Sequence, residues 1–352
     1  MLKKMPASEP GRLTRAEIFQ QPETWPETVA RVRRAGLRDL PPPVLTGAGT
    51  SAYAAQAVEA GWPGARAVPS TELFLDFRRY LGGEGLVVSL ARSGDSPESL
   101  AVVSKIQRAL PRVRHIALVA NPEGKLVHWP GVEAILLDPR SNDRSLVMTS
   151  SFTNLVLAGL ALARPEEVEQ ALPVLCDSVR EILPRLDEEA ARWAERPPER
   201  AVALASPPLM GAAREACLKI LEMTAGQVTV LAETYLGLRH GPMSFLRAET
   251  LVLCFVSSDP GLRRYELDLV RELRAKGLGR LIALGLAEGA PFDLELSTPA
   301  SRLPDWLRTP PEIVFAQLLG WHLSRRFGLD PDNPSPARVI TRVVEGVRIY
   351  ED

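Results

Sequence analysis

Short apolar runs that alternate with longer helical stretches are the feature of this sequence that most constrains its fold. The runs are rich in Val, Ile and Leu, as buried strands are. They lie at residues 44–45, 86–90, 115–119, 132–136, 201–205, 251–256 and 281–284. Strands that alternate with helices form parallel sheets covered by helices on both faces. The pattern therefore predicts an α/β fold of the doubly wound, flavodoxin-like kind, with three layers.

The pattern occurs twice along the chain. The strand at 86–90 and the strand at 251–256 are each followed by serine, aspartate and proline, and they begin about 160 residues apart. A length of 352 residues also favours two domains, because domains usually contain roughly 100 to 200 residues. We therefore predict two similar domains that arose by duplication. The predicted segments are an N-terminal helical arm at 1–40, a first domain at 41–196, a second domain at 197–330 and a C-terminal tail at 331–352.

Composition and charge exclude several classes of protein. The 42 basic and 43 acidic residues leave a formal net charge of −1, so no overall field attracts nucleic acid. Cys176, Cys217 and Cys254 are too few and too far apart for a zinc knuckle or a disulfide framework. The longest apolar stretch, 155–163, is too short to cross a membrane, and residues 1–12 lack the apolar core of a signal peptide. We therefore expect a cytoplasmic protein.

Two loops rich in hydroxyl groups and glycine follow the strands that end at Leu45 and Leu90. In open α/β sheets, ligands bind beside the carboxyl ends of the strands. Ser96, Pro97 and Glu98 also form a well-encoded helix start, and the free amides of a helix start bind anions. The candidate phosphate-binding residues are Gly49, Thr50 and Ser51 in the first loop and Arg92, Ser93, Gly94 and Ser96 in the second.

A hydroxyl-rich site of this kind, with no lysine nearby, suits one phosphate monoester better than a nucleoside triphosphate. The chain contains no G-x-x-x-x-G-K-[ST] loop and no G-x-G-x-x-G motif. The alternative is that the serines and glycines only form tight turns between strand and helix.

Three charged residues lie on one face of an otherwise small and apolar helix at 211–222. Glu215, Lys219 and Glu222 are spaced i, i+4 and i+7. One interpretation is an exposed ion pair between Glu215 and Lys219, worth a few tenths of a kcal/mol. The other is that the three residues line a pocket, where the lysine keeps a carboxylate ionised until it accepts a proton.

His240 is the one histidine of four in a loop context, because Gly241 and Pro242 follow it directly. The other three are His115 at the start of a predicted buried strand, His128 beside Trp129, and His322 on a predicted helix. His240 is therefore the candidate acid or base among the histidines. The alternative is a solvated loop histidine without a catalytic role.

Six segments, taken together and in this order, resemble the sugar isomerase (SIS) superfamily in its double-domain form. They are TGAGTSAY, ARSGDSPES, MTSSFTN, REACLKILEMTAG, LGLRHGPMS and GLDPDNPSPARVITRVVEGV. They are most similar to the tagatose-6-phosphate ketose/aldose isomerase group, which includes galactosamine-6-phosphate deaminases. The isomerase half of glucosamine-6-phosphate synthase is the next most similar.

The resemblance implies a role for each candidate residue. Ser93 and Ser96, with Thr50 and Ser51, would bind the sugar phosphate. Glu222 would be the general base, and His240 would open the sugar ring, reaching into the active site of the partner subunit. Lys219 and Glu215 would form the polar stripe beside the base. Further candidates for contact with the substrate are Ser150, Ser151, Arg239 and Arg342.

Several departures from the synthase accompany this resemblance. Ala91 stands where the synthase has a serine, and the run Thr149, Ser150 and Ser151 replaces a Ser-Thr-Lys run. The C-terminal lysine of the synthase has no clear match; Arg342 or Arg338 would fill its place, and an arginine cannot form a Schiff base. The tail is expected to close the active site. No glutaminase domain precedes the first domain, so we expect no glutamine-dependent amination.

The resemblance predicts an enzyme that deaminates and isomerises galactosamine 6-phosphate or glucosamine 6-phosphate. Hydrolysis would release ammonia and give a ketose 6-phosphate. It implies no metal or organic cofactor, a small-molecule partner, and a homodimer or dimer of dimers. Two alternatives stay open. One is a plain ketose/aldose isomerase of a sugar phosphate of the tagatose 6-phosphate type, and the other is a sugar-phosphate sensor without catalysis.

Overall fold

The computed structural model describes residues 9–344 and 346–350, which form two compact units. The first unit contains residues 23–144, 148–172 and the described residues from 338 onward. The second unit contains the described residues up to 22, together with 145–147 and 173–337. The four segments proposed from the sequence, from the N-terminal arm to the C-terminal tail, remain a prediction.

Helices and strands alternate over most of the described chain. The helices are α1 Arg12–Phe19, α2 Gln21–Arg34, α3 Thr50–Glu59, α4 Ser70–Leu75, α5 Pro97–Ala109, α6 Ser150–Ala163, α7 Pro165–Ala194, α8 Met210–Met223, α9 Tyr235–Leu238, α10 Pro260–Ala275 and α11 Asp305–Arg326. The strands are β1 Val44–Thr46, β2 Arg66–Ala67, β3 Glu84–Ala91, β4 Arg112–Val119, β5 Val132–Leu136, β6 Arg200–Ala205, β7 Thr229–Thr234, β8 Leu251–Phe255, β9 Arg280–Leu284 and β10 Leu294–Leu296.

Each unit contains one parallel sheet of five strands. The first sheet has the order β2-β1-β3-β4-β5, and the second has the order β7-β6-β8-β9-β10. Every pairing in both sheets is parallel. Matched by position, the two sheets have the same strand order, as a duplicated domain predicts. The predicted fold class, two α/β domains with parallel sheets flanked by helices, is confirmed.

Three strands were not predicted from the sequence. β2 contains only two residues and β10 only three, too few to show a periodic pattern. β7 is an edge strand whose residues are all exposed or half-buried, so it lacks the apolar run of its neighbours. It contains Glu233, which the sequence analysis grouped with the segment around His240.

Apolar side chains from strands and covering helices fill each unit. One face of the first sheet packs against α4 and α5 through Val44, Leu73, Val87, Val102 and Ile106. One face of the second sheet packs against α10 through Val202, Val252, Leu269, Val270 and Leu281. These cores hold the strands in register, so in each unit the loops after the strands meet at one edge. Within the described residues, no helix combines the length and apolar character needed to span a membrane.

Candidate active site

The first phosphate-binding loop lies between β1 and α3 in the first unit. Strands β1 and β3 pair in parallel with Thr46 opposite Ser89, so the loops that follow them start at the same edge. Gly47 packs against the next turn, since a Cβ placed on it would lie 2.6 Å from the Cβ of Ser51. Thr50 and Ser51 begin α3 and are both buried. The loop is therefore a tight turn that brings two hydroxyl groups to the sheet edge.

The second loop connects β3 to α5. Gly94 has a φ of 73°, and a Cβ on it would lie 3.3 Å from the Cα of Gly124, so glycine is needed on both counts. The amide of Asp95 donates to the Ser93 hydroxyl over 3.2 Å. Ser96 is the N-cap of α5 and Pro97 its first residue, as the sequence predicted. The Ser96 hydroxyl does not cap the helix; it donates to Glu98 over 3.0 Å.

Arg92 links this loop to the C-terminal tail. Its side chain is buried, and its guanidinium donates to the carbonyl of Arg342. The Arg342 guanidinium donates in turn to the carbonyl of Asp143 over 2.6 and 3.1 Å and to the side chain of Asn142 over 2.9 Å. The fold thus brings together Arg92 and Arg342, two candidates 250 residues apart in the chain.

Ser150 and Ser151 begin α6, and both are fully buried. Their amides donate to the Asp143 carboxylate over 3.2 and 2.9 Å, and the Ser151 hydroxyl donates to it over 2.5 Å. Burial raises the pKa of Asp143, although hydrogen bonds from Ser151 and Thr149 and the charge of Arg92 act against it. The sequence analysis missed Asp143. The sequence feature that could have identified Asp143 is an acidic residue shortly before the start of a helix, where its charge interacts favourably with the helix dipole.

Two further hydroxyl groups in the first unit were also missed. Thr46 ends β1 and Ser70 begins α4, and both are buried. The amide of Ser70 donates to the carbonyl of Gly47 over 2.8 Å, so Ser70 lies against the first phosphate-binding loop. Neither hydroxyl oxygen has a hydrogen-bond partner among the described residues. A buried hydroxyl without a partner is uncommon and needs an explanation.

The charged stripe predicted on the helix at 211–222 lies on α8 in the second unit. The Lys219 ammonium lies 2.5 Å from a carboxylate oxygen of Glu222 and 3.4 Å from one of Glu215. The side chains of Glu215 and Lys219 are 0% and 1% exposed, and that of Glu222 is 23% exposed. The interpretation of Glu215 and Lys219 as an exposed ion pair was therefore wrong. It failed because α8 packs against α11 on this face, which helical spacing alone does not reveal.

The surroundings of Lys219 keep it charged. Burial by itself lowers the pKa of a lysine, but the charges of Glu215 and Glu222 outweigh burial and raise the pKa of Lys219 above its ordinary value. Gly320 on α11 allows the close packing, since a Cβ there would lie 3.2 Å from the carbonyl oxygen of Lys219 and 2.9 Å from the sulfur of Met223. Glu222 is left as the partly accessible carboxylate of the stripe.

His240 and Glu222 lie on different elements of the second unit, and Leu238 and Met243 on either side of His240 share a core with Leu269 of α10. Because β6 and β7 are adjacent and parallel, α8, which connects them, runs antiparallel to both. Glu222 is in the last turn of α8 and so lies at the edge where β7 begins. His240 follows β7 and α9, in an exposed turn where Gly241 has a φ of 121°. Among the described residues, no hydrogen bond or ion pair joins Glu222 to His240 within one chain.

Arg239, the neighbour of His240, is held by its own unit. Its guanidinium Nε lies 2.7 Å from the Glu272 carboxylate on α10. Among the described residues, no group of three or more His, Cys, Asp or Glu side chains is arranged to hold a metal ion.

Comparison with known proteins gives several relatives of nearly the same length. No protein-family model matches the chain. It is 35% identical to the D-galactosamine-6-phosphate deaminase AgaS of Shewanella sp. (strain ANA-3), over 96% of this chain and 91% of the relative. It is 33% identical to the protein of the same name from Escherichia coli, over 98% of this chain and 97% of the relative. A solved structure of tagatose-6-phosphate ketose/aldose isomerase from Escherichia coli covers 92% of this chain and 96% of its own, with a TM-score of 0.83 and 32% identity.

Proposed function

The chain belongs to the AgaS family of enzymes with two sugar isomerase domains, and we propose that it deaminates and isomerises a hexosamine 6-phosphate. The substrate would be galactosamine 6-phosphate or glucosamine 6-phosphate, and the products a ketose 6-phosphate and ammonia. The observation that carries this proposal is the buried Lys219 ammonium, which holds the accessible Glu222 carboxylate 2.5 Å away. An accessible carboxylate held by a fixed ammonium is positioned to accept a proton from carbon.

The first unit would bind the phosphate group. Thr50 and Ser51 on one loop, and Ser93 and Ser96 on the next, present hydroxyl groups at one sheet edge. The amides at the start of α5 and the buried guanidinium of Arg92 add donors and positive charge. The tail would close this site through Arg342, which already lies against Arg92. Binding of the phosphate would fix the sugar for the chemistry at C1 and C2.

The second unit would supply the chemistry. His240 would open the ring by moving a proton between the C1 hydroxyl and the ring oxygen. Glu222 would then take the proton from C2 and return it to C1, while one N–H proton of the amine passes to the C1 oxygen. These two transfers convert the C1 aldehyde and C2 amine into a C1 alcohol and a C2 ketimine. Water would add its oxygen to C2, the C2–N bond would break, and ammonia would leave. The net reaction consumes one water and releases one ammonia per sugar.

The active site would be shared between subunits. The resemblance to the double-domain sugar isomerases supports this sharing, and within the described residues of one chain no hydrogen bond or ion pair joins Glu222 to His240. We infer a homodimer, or a dimer of dimers, in which His240 acts beside the Glu222 of the partner subunit. The phosphorylated substrate and the three free, buried cysteines Cys176, Cys217 and Cys254 fit a reducing cytoplasm.

A plain ketose/aldose isomerase is the second candidate function. The solved isomerase structure from Escherichia coli, at 32% identity, is the observation that favours it. The two curated relatives above, both named deaminases, cover more of the chain and favour the amino sugar. A sensor without catalysis is not favoured, since all three relatives are named as enzymes.

The decisive assay is a panel of sugar phosphates with ammonia and ketose as separate readouts. We expect ammonia and ketose from galactosamine 6-phosphate or glucosamine 6-phosphate. Glu222→Gln should lower the rate by about a hundredfold or more, because the base is lost while the shape is kept. Glu181→Gln, which changes an exposed glutamate on α7, is the matched control and should stay active. Release of no ammonia from either amino sugar, or full activity of Glu222→Gln, would overturn the proposal.

A further inference from the structure

A groove with an excess of arginine lies at the edge of the second sheet where β6, β8 and β9 begin. Its volume is about 430 Å³. We call it the basic groove, and its basic residues are Arg196, Arg200, Arg247 and Arg280. Glu199 and Glu249 also line it, so its formal charge is positive in a chain whose net charge is −1. None of the residues in the basic groove belongs to the proposed phosphate or catalytic sites.

In the part of the chain that the structure describes, no acidic group pairs with the four guanidinium groups. Among residues 9–344 and 346–350, no carboxylate lies within 4.0 Å of any of them, and the two glutamates of the groove form no ion pair either. Other arginines of the second unit do form ion pairs, such as Arg239 with Glu272 and Arg274 with Asp293. The four like charges that line the groove repel one another, and an anion bound there would reduce that repulsion.

Two of the arginines are held in place by the fold. Arg200 donates to the carbonyl of Phe245 over 2.8 Å, and its guanidinium lies 5.1 Å from the centre of the Phe245 ring. Arg280 donates to the carbonyl of Arg196 over 3.2 Å and lies 4.6 Å from the centre of the Trp193 ring. A guanidinium has five N–H donors, so each of the two keeps several donors for a ligand. Side chains already held in position lose less entropy when they bind.

We propose that the basic groove binds a small anion with two or more negative charges, namely a phosphorylated metabolite. Arginine matches the oxygens of phosphate in pairs of parallel hydrogen bonds, and four arginines suit more than one phosphate charge. A volume of about 430 Å³ is in the range of small-molecule sites. The residues of the basic groove differ from those proposed to bind the substrate phosphate, which are hydroxyl groups and helix amides of the other unit.

The test is a calorimetric titration of the full-length protein with inorganic pyrophosphate at low salt. To remove binding at the substrate site, the titration is repeated with Ser93→Ala/Ser96→Ala. The groove variant is Arg196→Gln/Arg247→Gln, which changes the two exposed arginines of the groove. The matched control is Arg264→Gln/Arg326→Gln, which removes the same charge from exposed arginines elsewhere in the second unit.

We expect the Ser93→Ala/Ser96→Ala protein to keep a pyrophosphate site. The affinity of the groove variant for pyrophosphate should fall by about tenfold or more, and the control should bind pyrophosphate like the wild type. Equal binding by the groove variant and the control overturns the proposal. So does a groove variant that changes the oligomeric mass without changing pyrophosphate binding, since the groove would then be a subunit contact. The readout is binding, so failure of the proposed enzymatic reaction would leave this result unaffected.

Discussion

At the scale of single residues, Lys219 illustrates how burial and charge together prepare a catalytic group. Two carboxylates flank one ammonium, and Glu215 and Lys219 are both removed from solvent. A buried charge without its partner destabilises a protein by several kcal/mol, so each member of the trio depends on the others. The same ammonium that balances Glu215 also holds the Glu222 carboxylate, 2.5 Å away. Lys219 therefore supports stability through its contact with Glu215 and activity through its contact with Glu222.

Lys219→Met should separate these two roles. It removes the ammonium that lies 3.4 Å from the buried Glu215 carboxylate, which should lower the free energy of unfolding by about 3 kcal/mol or more. In Lys219→Met/Glu215→Gln the buried carboxylate is gone, so stability should return while ammonia release stays low. Urea denaturation and the ammonia assay measure the two effects. A double variant with wild-type activity would show that Lys219 only stabilises the helix.

The unpartnered hydroxyl of Ser70 makes a second prediction at this scale. Removing a buried hydroxyl that forms no hydrogen bond should leave the unfolding temperature unchanged or higher. If the hydroxyl instead binds the sugar phosphate, Ser70→Ala should raise KM by about tenfold. Ser324→Ala, which removes another buried hydroxyl without a described partner, is the control and should not change KM. Equal KM values for Ser70→Ala and the wild type would contradict the role.

At the scale of elements, the sequence predicted the strands that carry apolar runs and the helix starts that carry strong signals. The strand predicted at 132–136 has the observed limits, and Ser96 and Pro97 begin α5 as expected. The edge strand β7 was missed because its partly exposed side chains have no pattern that separates them from a loop. The burial of Lys219 depends on packing between α8 and α11, which are distant in the chain. Such contacts are properties of the tertiary structure.

The C-terminal tail is the element whose role is most open to test. Arg342 forms three hydrogen bonds with Asn142 and Asp143, and its carbonyl accepts one from Arg92. Arg342→Ala should therefore loosen the tail beside the proposed phosphate site and raise KM about tenfold, with a small effect on kcat and unfolding temperature. Arg348→Ala, in the same tail, is the control, since its side chain contacts the Tyr350 ring. If both variants behave like the wild type, the tail does not close the site.

At the scale of the whole molecule, the two sheets have the same strand order but different chemistry at the loop after the third strand. In the second unit, the carboxylate of Asp305 accepts from the amide of Ser258 over 2.7 Å, from its hydroxyl over 2.9 Å and from the Ser257 hydroxyl. Arg308 balances that carboxylate at 2.6 Å. The chain's own acid thus occupies the loop that corresponds to the proposed phosphate loop. We therefore expect one sugar-phosphate site per chain.

The same network makes stability depend on pH. Burial raises the pKa of Glu266 to about 7, and it raises that of Glu312 to about 7 even though Arg308 lowers it. In the unfolded chain both would titrate near 4.5. The folded protein therefore binds more protons between these values. The stabilisation from both groups is complete below about pH 4.5 and is lost as the pH rises to about 7.

Glu266→Gln/Glu312→Gln should remove this dependence. From pH 5 to pH 8, the wild type should lose stability relative to the variant, by up to about 3 kcal/mol per group. Urea denaturation of both proteins at the two values measures the difference. His115 has a pKa lowered to about 4 by burial and acts in the opposite direction, but it is common to both proteins and cancels. Parallel pH profiles for the wild type and the variant would contradict the prediction.

Sharing of the active site between subunits is the last property of the whole molecule that we test. A chain with Glu222→Gln and a chain with His240→Ala should each be inactive when either is the only chain present. In a mixed dimer, one site combines Glu222 from the His240→Ala chain with His240 from the Glu222→Gln chain, so that site is intact and the other lacks both groups. Purified mixed dimers should therefore have about half of wild-type activity, because one of their two sites works.

The two chains are co-expressed with different affinity tags, and mixed dimers are isolated through both tags in turn. Each purified variant alone, and the two variants mixed without subunit exchange, serve as controls for residual activity. If His240 instead acts on Glu222 of its own chain, both sites of a mixed dimer lack one catalytic group and activity stays at the level of the single variants.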